Sequence, residues 1–420
     1  MTAAPDAASP PQDPAQPRLL AVLAIGQVLG GTAVATSIAA SSLVASRLSG
    51  SPAVGGVAST ASVLGAAGAA AVVARVAQAR GRRPALVGGH LVGLLGAVGA
   101  VVAATTGSVA LLLVSLLLIG SGTAVGLAAR YAATDLAAPA RAGRALALVV
   151  WATTVGAVAG PNLLGPLDSV AVSAGLPGVA GPYLLCAVAF ALAALTGWLG
   201  LRPDPLLRAR ERAGTPAGAP GAAAVRPWAV LRASRPALLG AVGIVLGHAV
   251  MVGLMSMTPV HMDHGGAALS VVGLVISLHI AGMYALSPLF GWLADRLGPA
   301  RVLAGAGVLL PLAGVVCALA APTSTGLLSV GLALLGLGWS AAVVGGSAQL
   351  TASLAVADRP RVQGSVDVAM NLVGAAAGIV AGVLVTVSSY ALLGGLVVVA
   401  TVPFLLVAAR SARTGRPAAG

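Results

Sequence analysis

The chain is a succession of long apolar runs separated by short polar connections. Each run holds about 20 residues, and an α-helix of that length crosses a hydrocarbon layer about 30 Å thick. Segments of about ten residues with alternating hydrophobicity, which are typical of membrane β-barrels, are not seen. The pattern therefore predicts an all-α membrane protein built as a bundle of transmembrane helices.

Twelve apolar runs are predicted, six in each half of the chain. Those of the first half are Leu19–Ala45, Ala53–Ala74, Ala85–Ala104, Val109–Ala129, Ala145–Leu167 and Tyr183–Leu201. Those of the second half are Ala237–Val260, Leu269–Ala294, Val302–Leu319, Leu327–Ala355, Val362–Val387 and Leu392–Ala409. The predicted organisation is a disordered tail (1–18), an N-terminal half (19–201), a linker (202–236), a C-terminal half (237–410) and a second tail (411–420). The linker is rich in Pro, Gly, Ala and Arg, so at most one short surface helix is expected there, near Trp228.

Composition agrees with a membrane protein, because 58% of the residues are hydrophobic and only 8% are charged, whereas soluble domains use about a quarter charged residues. All 23 basic residues are arginines. They lie in short connections without interleaved aromatic residues, which argues against nucleic acid as a partner. The absence of lysine beside abundant alanine and glycine is typical of a GC-rich bacterial genome.

The arginines also predict the orientation. With the N-terminus in the cytoplasm, the arginines of the connections fall inside and only Arg47 falls outside, as expected when cytoplasmic loops retain positive charge. We therefore expect a multi-pass protein of the bacterial inner (plasma) membrane with both termini in the cytoplasm. Cys186 and Cys317 lie inside apolar runs, where buried small hydrophobic side chains are expected and no disulfide.

The two halves carry related patterns. Gly156 and Gly160 in the fifth run recur 218 residues later as Gly374 and Gly378 in the eleventh run. A parallel repeat of two six-helix halves, joined by a long linker, is typical of carriers that work by alternating access.

One connection carries a longer signature, which runs from Gly291 through Asp295 and Arg296 to Gly298. It resembles the loop motif G-x-x-x-D-R-x-G of the major facilitator superfamily, and the resemblance extends over essentially the whole chain. The family implies a gate on the cytoplasmic side. Asp295 would offer its charge to a helix N-terminus or an arginine in one conformation and lose that partner in the other. The alternative is that Asp295 and Arg296 only help to fix topology.

A second segment, Gly156-Ala-Val-Ala-Gly160-Pro161, resembles the glycine–proline motif of drug–proton antiporters. Small residues one turn apart allow close helix approach, and Pro161 can bend the helix. The antiporter resemblance implies export of an amphipathic solute.

Charged groups within apolar runs are functional candidates because their burial in a membrane is costly. Asp367 lies about one and a half turns into the eleventh run and is our candidate for proton coupling; the alternative is a structural pair with a nearby cytoplasmic arginine such as Arg359 or Arg361. Arg130 and Asp135 close the fourth run, where we expect an anchor or a local gate.

The seventh and eighth runs hold an unusual set of side chains. Met251 and Met255 lie one helical turn apart, and His279 and Met283 repeat that spacing on the next helix. In an antiparallel hairpin, Met251 and His279 both lie about 16 Å from the outer surface. If their faces converge, thioethers and an imidazole would form a site suited to Cu(I). The alternative is that the methionines are adaptable packing.

The outer turn of this hairpin adds four residues, His261, Met262, Asp263 and His264, which could collect metal before entry. The spacing M-x-x-x-M followed by H-x-x-x-M resembles the CcoA-like copper importers, the CalT branch of the superfamily. That branch implies Met251, Met255, His279 and Met283 as metal ligands, and it also includes riboflavin carriers that share these motifs.

The functional expectation is therefore a transporter and not an enzyme, since the sequence has no phosphate-binding loop and no catalytic constellation. Copper uptake by alternating access is the leading hypothesis, with copper as cargo and no resident cofactor. Proton-coupled efflux of a drug or metabolite and riboflavin-type uptake are the alternatives. The expected partners are the lipid bilayer and a small-molecule or metal-ion substrate, and the protein is expected to be monomeric.

Overall fold

The computed structural model describes residues 13–214, 226–267 and 269–414, and these ranges contain helices and no strand. Twelve of their segments are long and apolar enough to cross a membrane. The predicted all-α fold with twelve transmembrane helices is therefore confirmed.

The helices are numbered in chain order. The N-terminal half contains α1 (Gln16–Ser49), α2 (Pro52–Arg80), α3 (Arg82–Thr106), α4 (Val109–Ala132), α5 (Ala142–Asn162), α6 (Leu164–Ser173) and α7 (Gly181–Gly200). The linker contains α8 (Pro205–Arg212) and α9 (Pro227–Ala233). The C-terminal half contains α10 (Arg235–His264), α11 (Leu269–Tyr284), α12 (Ser287–Leu297), α13 (Pro299–Leu319), α14 (Thr325–Ala352), α15 (Arg359–Val387) and α16 (Tyr390–Thr414).

Two predicted runs are each divided into two helices. The fifth, expected to continue to Leu167, has a helix end at Asn162, and the eighth has a helix end at Tyr284. Each of these residues lies four positions before a proline, Pro166 and Pro288 respectively. A proline lacks the amide hydrogen and its ring clashes with the carbonyl four residues earlier, so the helix cannot continue unbroken through that turn.

The linker contains one helix more than expected. Helix α9 forms near Trp228, but α8 was not predicted. Asp204 caps α8, because its carboxylate accepts the amide hydrogens of Leu206 and Leu207 at 3.0 and 3.2 Å. The other carboxylate oxygen accepts the Arg83 amide at 2.7 Å, which ties α8 to the start of α3.

Parts of the two predicted tails and of the predicted linker lie outside the described residues, namely 1–12, 215–225 and 415–420. The described part of the first tail is ordered by one carboxylate. Asp13 is buried and pairs with Arg208 and Arg212 of α8 at 2.7 and 2.8 Å. This contact joins the beginning of α1 to the linker.

The two halves meet at the end of the bundle that carries the α2–α3 and α12–α13 connections and the linker, here called the arginine-rich end. Across the halves, α2 packs against α15 and α5 packs against α12. A buried cluster at this end mixes both halves, since Tyr131 of α4 packs with Ile244 of α10 and Met370 of α15.

Toward the opposite end, here called the far end, the apolar core is divided. One buried cluster contains only residues of the N-terminal half, such as Leu112 and Phe190. A second contains only residues of the C-terminal half, such as Leu254 and Leu328. The halves are thus joined at the arginine-rich end and have separate cores toward the far end.

Candidate functional site

A buried ion pair joins the halves between the middle of the bundle and the arginine-rich end. Arg130, near the end of α4, places its Nη2 2.6 Å from the Asp367 carboxylate of α15, and the two side chains are 1% and 4% exposed. The same guanidinium donates to the Leu127 carbonyl, the Ser347 hydroxyl and the Tyr131 hydroxyl at 2.8 to 3.1 Å. The pair is therefore desolvated, and four of the five N–H donors of the arginine have a hydrogen-bond partner.

Asp367 is therefore paired with an arginine toward the arginine-rich end, in line with the structural alternative, but the arginine is neither of the two that were named. The alternatives considered were Arg359 and Arg361, at the start of α15, but Arg359 instead donates to the Leu354 carbonyl at 3.4 Å. The partner lies on a different half of the molecule, 237 residues away in sequence. Such a distant pairing has no local signal in the sequence.

A second buried link lies nearer the arginine-rich end. The Arg82 guanidinium spans the Asp135 carboxylate, with Nε 2.9 Å from one oxygen, and its Nη2 donates to the Gln363 side chain of α15 at 3.0 Å. Gln363 in turn donates to the Thr351 hydroxyl at 3.1 Å. Arg130 and Asp135, which we expected to form an anchor or a local gate, therefore belong to two separate links.

Asp295 lies at the junction of α12 and α5. Its carboxylate accepts the Gly143 amide at 2.7 Å, the Arg144 amide at 3.1 Å and the Arg144 Nε at 2.8 Å. It thus has both a helix N-terminus and an arginine as partners in this conformation. Arg296 turns away and lies over the Trp292 ring at 5.0 Å.

The backbones of α5 and α12 approach closely at two facing glycines. A Cβ added to Gly291 would lie 2.6 Å from the Gly143 carbonyl oxygen, and a Cβ on Gly143 would lie 2.6 Å from the Gly291 carbonyl oxygen. Gly298, which ends α12, has a φ of +91° that favours glycine. Two glycines of the sequence signature are therefore explained by this contact and this turn.

The corresponding contact on the other side of the molecule uses different side chains. Gln78 lies three residues before Gly81, the position that Asp295 has relative to Gly298, and its Nε2 donates to the Ala357 carbonyl at 2.8 Å. Gly364 of α15 packs directly on Ala74, the equivalent of Gly291. Although the signature is lost in the first half, a polar link and a close approach between the halves are retained.

An aromatic group lies about half-way along the membrane spans. The Trp339 indole of α14 donates to His248 Nδ1 of α10 at 3.2 Å. The Tyr284 ring of α11 meets Trp339 edge to face, with ring centroids 5.5 Å apart. Tyr284 also packs against Leu146 and Val150 of the N-terminal half. This group, His248–Trp339–Tyr284, is called the aromatic triad below.

One face of α15 connects the aromatic triad with the ion pair. Asp367, Asn371 and Gly374 recur at helical spacing; the Asn371 amide donates to the Asp367 carbonyl at 2.8 Å, and a Cβ on Gly374 would lie 2.6 Å from His248 Cδ2. The sequence reasoning did not select the triad, although His248 is a histidine within an apolar run. Its aromatic partners are not marked by spacing.

The four predicted metal ligands lie on two helices, Met251 and Met255 on α10 and His279 and Met283 on α11. Met251 and Met283 belong to one buried apolar cluster, with Met255 packed against it. His279 is fully buried, and its Nδ1 lies 2.9 Å from the Leu332 carbonyl of α14. Because a carbonyl only accepts, Nδ1 carries the hydrogen, and Nε2 is buried without a hydrogen-bond partner among the described residues.

Helices α10 and α11 both pack against α14 and have little contact with each other. Close packing of α11 on α14 depends on Gly282, where a Cβ would lie 2.8 Å from the Ala333 carbonyl oxygen. The predicted copper site assumed that α10 and α11 face each other directly. Instead, both helices pack mainly on α14. Among the described residues, no group of three or more His, Cys, Asp or Glu side chains is placed to hold a metal ion.

The predicted outer recruitment residues are not equally accessible. His261 stacks on Tyr390, with ring centroids 4.3 Å apart, and its Nε2 lies 3.0 Å from the Ala320 carbonyl. Met262 is fully buried, whereas His264 is exposed. In this conformation His264 is thus the most accessible of the three ligand candidates at this end.

The glycines of the fifth run lie where α5 meets α1. A Cβ on Gly156 would lie 2.5 Å from the Thr32 amide nitrogen, and a Cβ on Gly160 would lie 2.7 Å from the Thr36 amide nitrogen. Pro161 is within α5, one residue before its end. The glycines therefore occupy a close helix contact inside the N-terminal half.

The family model described as Major Facilitator Superfamily matches residues 23–270 and 262–420. The uncharacterized MFS-type transporter YdeG of Bacillus subtilis is 41% identical over 394 residues, which cover 93% of this chain and 91% of that protein. The riboflavin transporter RfnT of Brucella anthropi is 28% identical over 387 residues, with 90% and 92% covered.

Among solved structures, the human organic anion transporter MFSD10 (TETRAN) has a similar fold. The TM-score is 0.75 at 16% identity, with 94% of this chain and 100% of that chain covered. At this identity the similarity concerns the fold alone.

Proposed function

Because the chain belongs to the Major Facilitator Superfamily, we propose that it is a bacterial inner-membrane secondary transporter that moves a small planar organic solute by alternating access. The observation that carries this proposal is the aromatic triad at mid-depth, two turns of α15 away from an ion pair that joins the halves. Aromatic side chains supply large apolar faces and edges on which a planar solute packs. His248 and Asn371 add polar atoms to orient it.

The transport cycle follows from where the halves are joined. The Arg130–Asp367, Arg82–Gln363 and Asp295–Arg144 links lie toward the arginine-rich end. That end is cytoplasmic if the excess of arginine follows the positive-inside rule. The solute would reach the triad from the far end in this conformation, and would leave after the three links break and the halves rock apart.

We assign proton coupling to Asp367. A proton on this carboxylate removes its charge and with it most of its attraction for Arg130, so protonation would favour separation of the halves. Uptake and drug or metabolite efflux are both compatible with such a cycle, since they differ in which gradient drives the solute. The first solute to test is riboflavin, because a relative that aligns over 90% of this chain is described as a riboflavin transporter.

We expect purified protein in detergent to bind riboflavin, and Trp339→Leu to weaken that binding roughly tenfold, since burial of an aromatic face contributes more than 1 kcal/mol. Flavin fluorescence quenching measures the dissociation constant. Trp228→Leu is the matched control, because Trp228 is 56% exposed and lies on α9 of the linker; its effect should be less than twofold. Equal affinities for the two variants would refute the triad as the site, and no binding by the unaltered protein would refute riboflavin as the ligand.

Copper uptake is the second candidate function, and one observation favours it. The His279 Nε2 lone pair is buried without a partner in the same region as the Met251, Met255 and Met283 thioethers. Such a soft set of ligands suits Cu(I). The relatives named above are not described as metal transporters. The copper hypothesis is therefore supported only by this geometry and by the sequence pattern.

If copper is the cargo, cells that express the protein will accumulate it, and His279→Ala together with Met251→Leu will abolish the gain. Met257→Leu is the control, since this methionine also lies on α10 in partly buried apolar surroundings but is not one of the predicted ligands. Accumulation is read by elemental analysis of washed cells. Equal accumulation with and without the His279 and Met251 side chains would show that they only pack.

A further inference from the structure

A cavity of about 390 Å³ opens at the arginine-rich end, where α1, α5 and α12 meet. It lies beside the N-terminus of α5, at the level where a membrane span ends and lipid headgroups begin. Its size is within the range of small-ligand pockets. It is separate from the aromatic triad and from the predicted metal ligands.

The walls of the cavity are of two kinds. Arg141 and Arg144 line it on one side, and Leu20, Leu148 and Pro288 contribute apolar surface. No lining residue is acidic. Two guanidinium groups above an apolar crevice complement a molecule with an anionic head and a hydrocarbon tail, because Arg pairs with phosphate through parallel hydrogen bonds.

A third group makes the cavity more specific. Gln16 lines it and is fully buried, and its Nε2 donates to the Ala133 carbonyl at 2.7 Å. That bond fixes the orientation of the amide, and leaves Oε1 as a buried acceptor without a hydrogen-bond partner among the described residues. An occupant of the cavity is therefore expected to bring a hydroxyl or another donor as well as an anion.

We propose that this cavity binds the headgroup of phosphatidylglycerol from the cytoplasmic leaflet. The phosphate pairs with Arg141 and Arg144, a glycerol hydroxyl donates to Gln16 Oε1, and an acyl chain follows Leu20 and Leu148. Anionic lipids of that leaflet are attracted to arginines near its surface.

The lipid also has a conformational role. Pro288 belongs to the C-terminal half, whereas the other walls belong to the N-terminal half. Arg144 in addition pairs with Asp295 across the halves. The cavity is complete only while the halves are joined at this end, so a ligand that binds it stabilises the joined conformation.

The test is native mass spectrometry of the full chain titrated in detergent with dioleoyl phosphatidylglycerol, phosphatidylcholine or phosphatidic acid. We expect Arg141→Gln to reduce bound phosphatidylglycerol at least fivefold. Arg301→Gln removes one charge from the same end outside the cavity, and should leave lipid binding within a factor of two. Gln16→Met should reduce binding of phosphatidylglycerol but not of phosphatidic acid, which lacks the headgroup glycerol and its hydroxyls.

Three results would overturn the proposal. One is equal retention of phosphatidylglycerol by Arg141→Gln and Arg301→Gln. Another is retention of phosphatidylcholine as strong as that of phosphatidylglycerol, which would remove the role of charge. The third is displacement of the lipid by millimolar inorganic phosphate, which would identify a site for a free anion. None of these results depends on which solute the protein transports.

Discussion

Asp367→Asn is expected to shift the protein away from the conformation joined at the arginine-rich end by about a hundredfold or more. The substitution leaves the Arg130 charge buried at 1% exposure without a counter-ion. Removal of one partner from a buried pair typically costs about 3–5 kcal/mol, and every 1.4 kcal/mol changes a population ratio tenfold. Separation of the halves relieves this cost, because it exposes Arg130 to water.

The measurement is a spin-label distance between α2 and α15. Labels at Arg80→Cys and Arg361→Cys lie on exposed positions of opposite halves, and the native Cys186 and Cys317 are fully buried and should not react. We expect a single short distance in the unaltered protein, and a longer distance that dominates in Asp367→Asn. Asp263→Asn, an exposed carboxylate at the far end, is the matched control.

A double variant separates electrostatics from packing. In Arg130→Gln with Asp367→Asn neither charge of this pair remains, and the short distance should return, because the coupling between the two sites is then largely removed. If the double variant opens as far as Asp367→Asn alone, the uncompensated charge is not the cause. An unchanged distance in the single variant would mean that the ion pair does not hold the halves together.

Periodic hydrophobicity was sufficient to predict the fold, because membrane helices are selected by length and apolarity alone. Its errors are local. The breaks at Asn162 and Tyr284 follow from Pro166 and Pro288 four residues later, a rule that could have been applied to the sequence. Helix α8 was also predictable in principle, since Asp204-Pro205 is a helix-start signal.

Interactions between the halves were harder to predict from the sequence. The sequence pointed to Asp295 through a motif and to Asp367 through its burial, and it predicted the kinds of partner but not which residues they are. Arg130 and Asp367 are 237 residues apart, and their contact depends on the packing of α4 against α15. The aromatic triad was missed for the same reason, since Trp339 and Tyr284 join His248 only through the tertiary fold.

Gly291→Ala should also open the arginine-rich end, and it does so without a change of charge. The added Cβ would lie 2.6 Å from the Gly143 carbonyl oxygen, and overpacking of this kind costs about 1–3 kcal/mol. The strain disappears when α12 moves away from α5, so the cost becomes a preference for separated halves. We expect the same labels on α2 and α15 to report about a five- to hundredfold shift in the population ratio.

Gly305→Ala on α13 is the control for helix propensity. It exchanges the same residue types within a transmembrane helix, but nothing lies within 4 Å of the added Cβ. Both variants gain up to about 1 kcal/mol of helix stability from the loss of a glycine, so only the contacts of the added Cβ with Gly143 and Ala147 of α5 distinguish them. If both proteins show the same distance distribution, the two facing glycines are not required for the halves to join at the arginine-rich end. If only Gly291→Ala opens, the first glycine of the signature is needed because two backbones must touch there, and the contact of Asp295 with the α5 N-terminus depends on that approach.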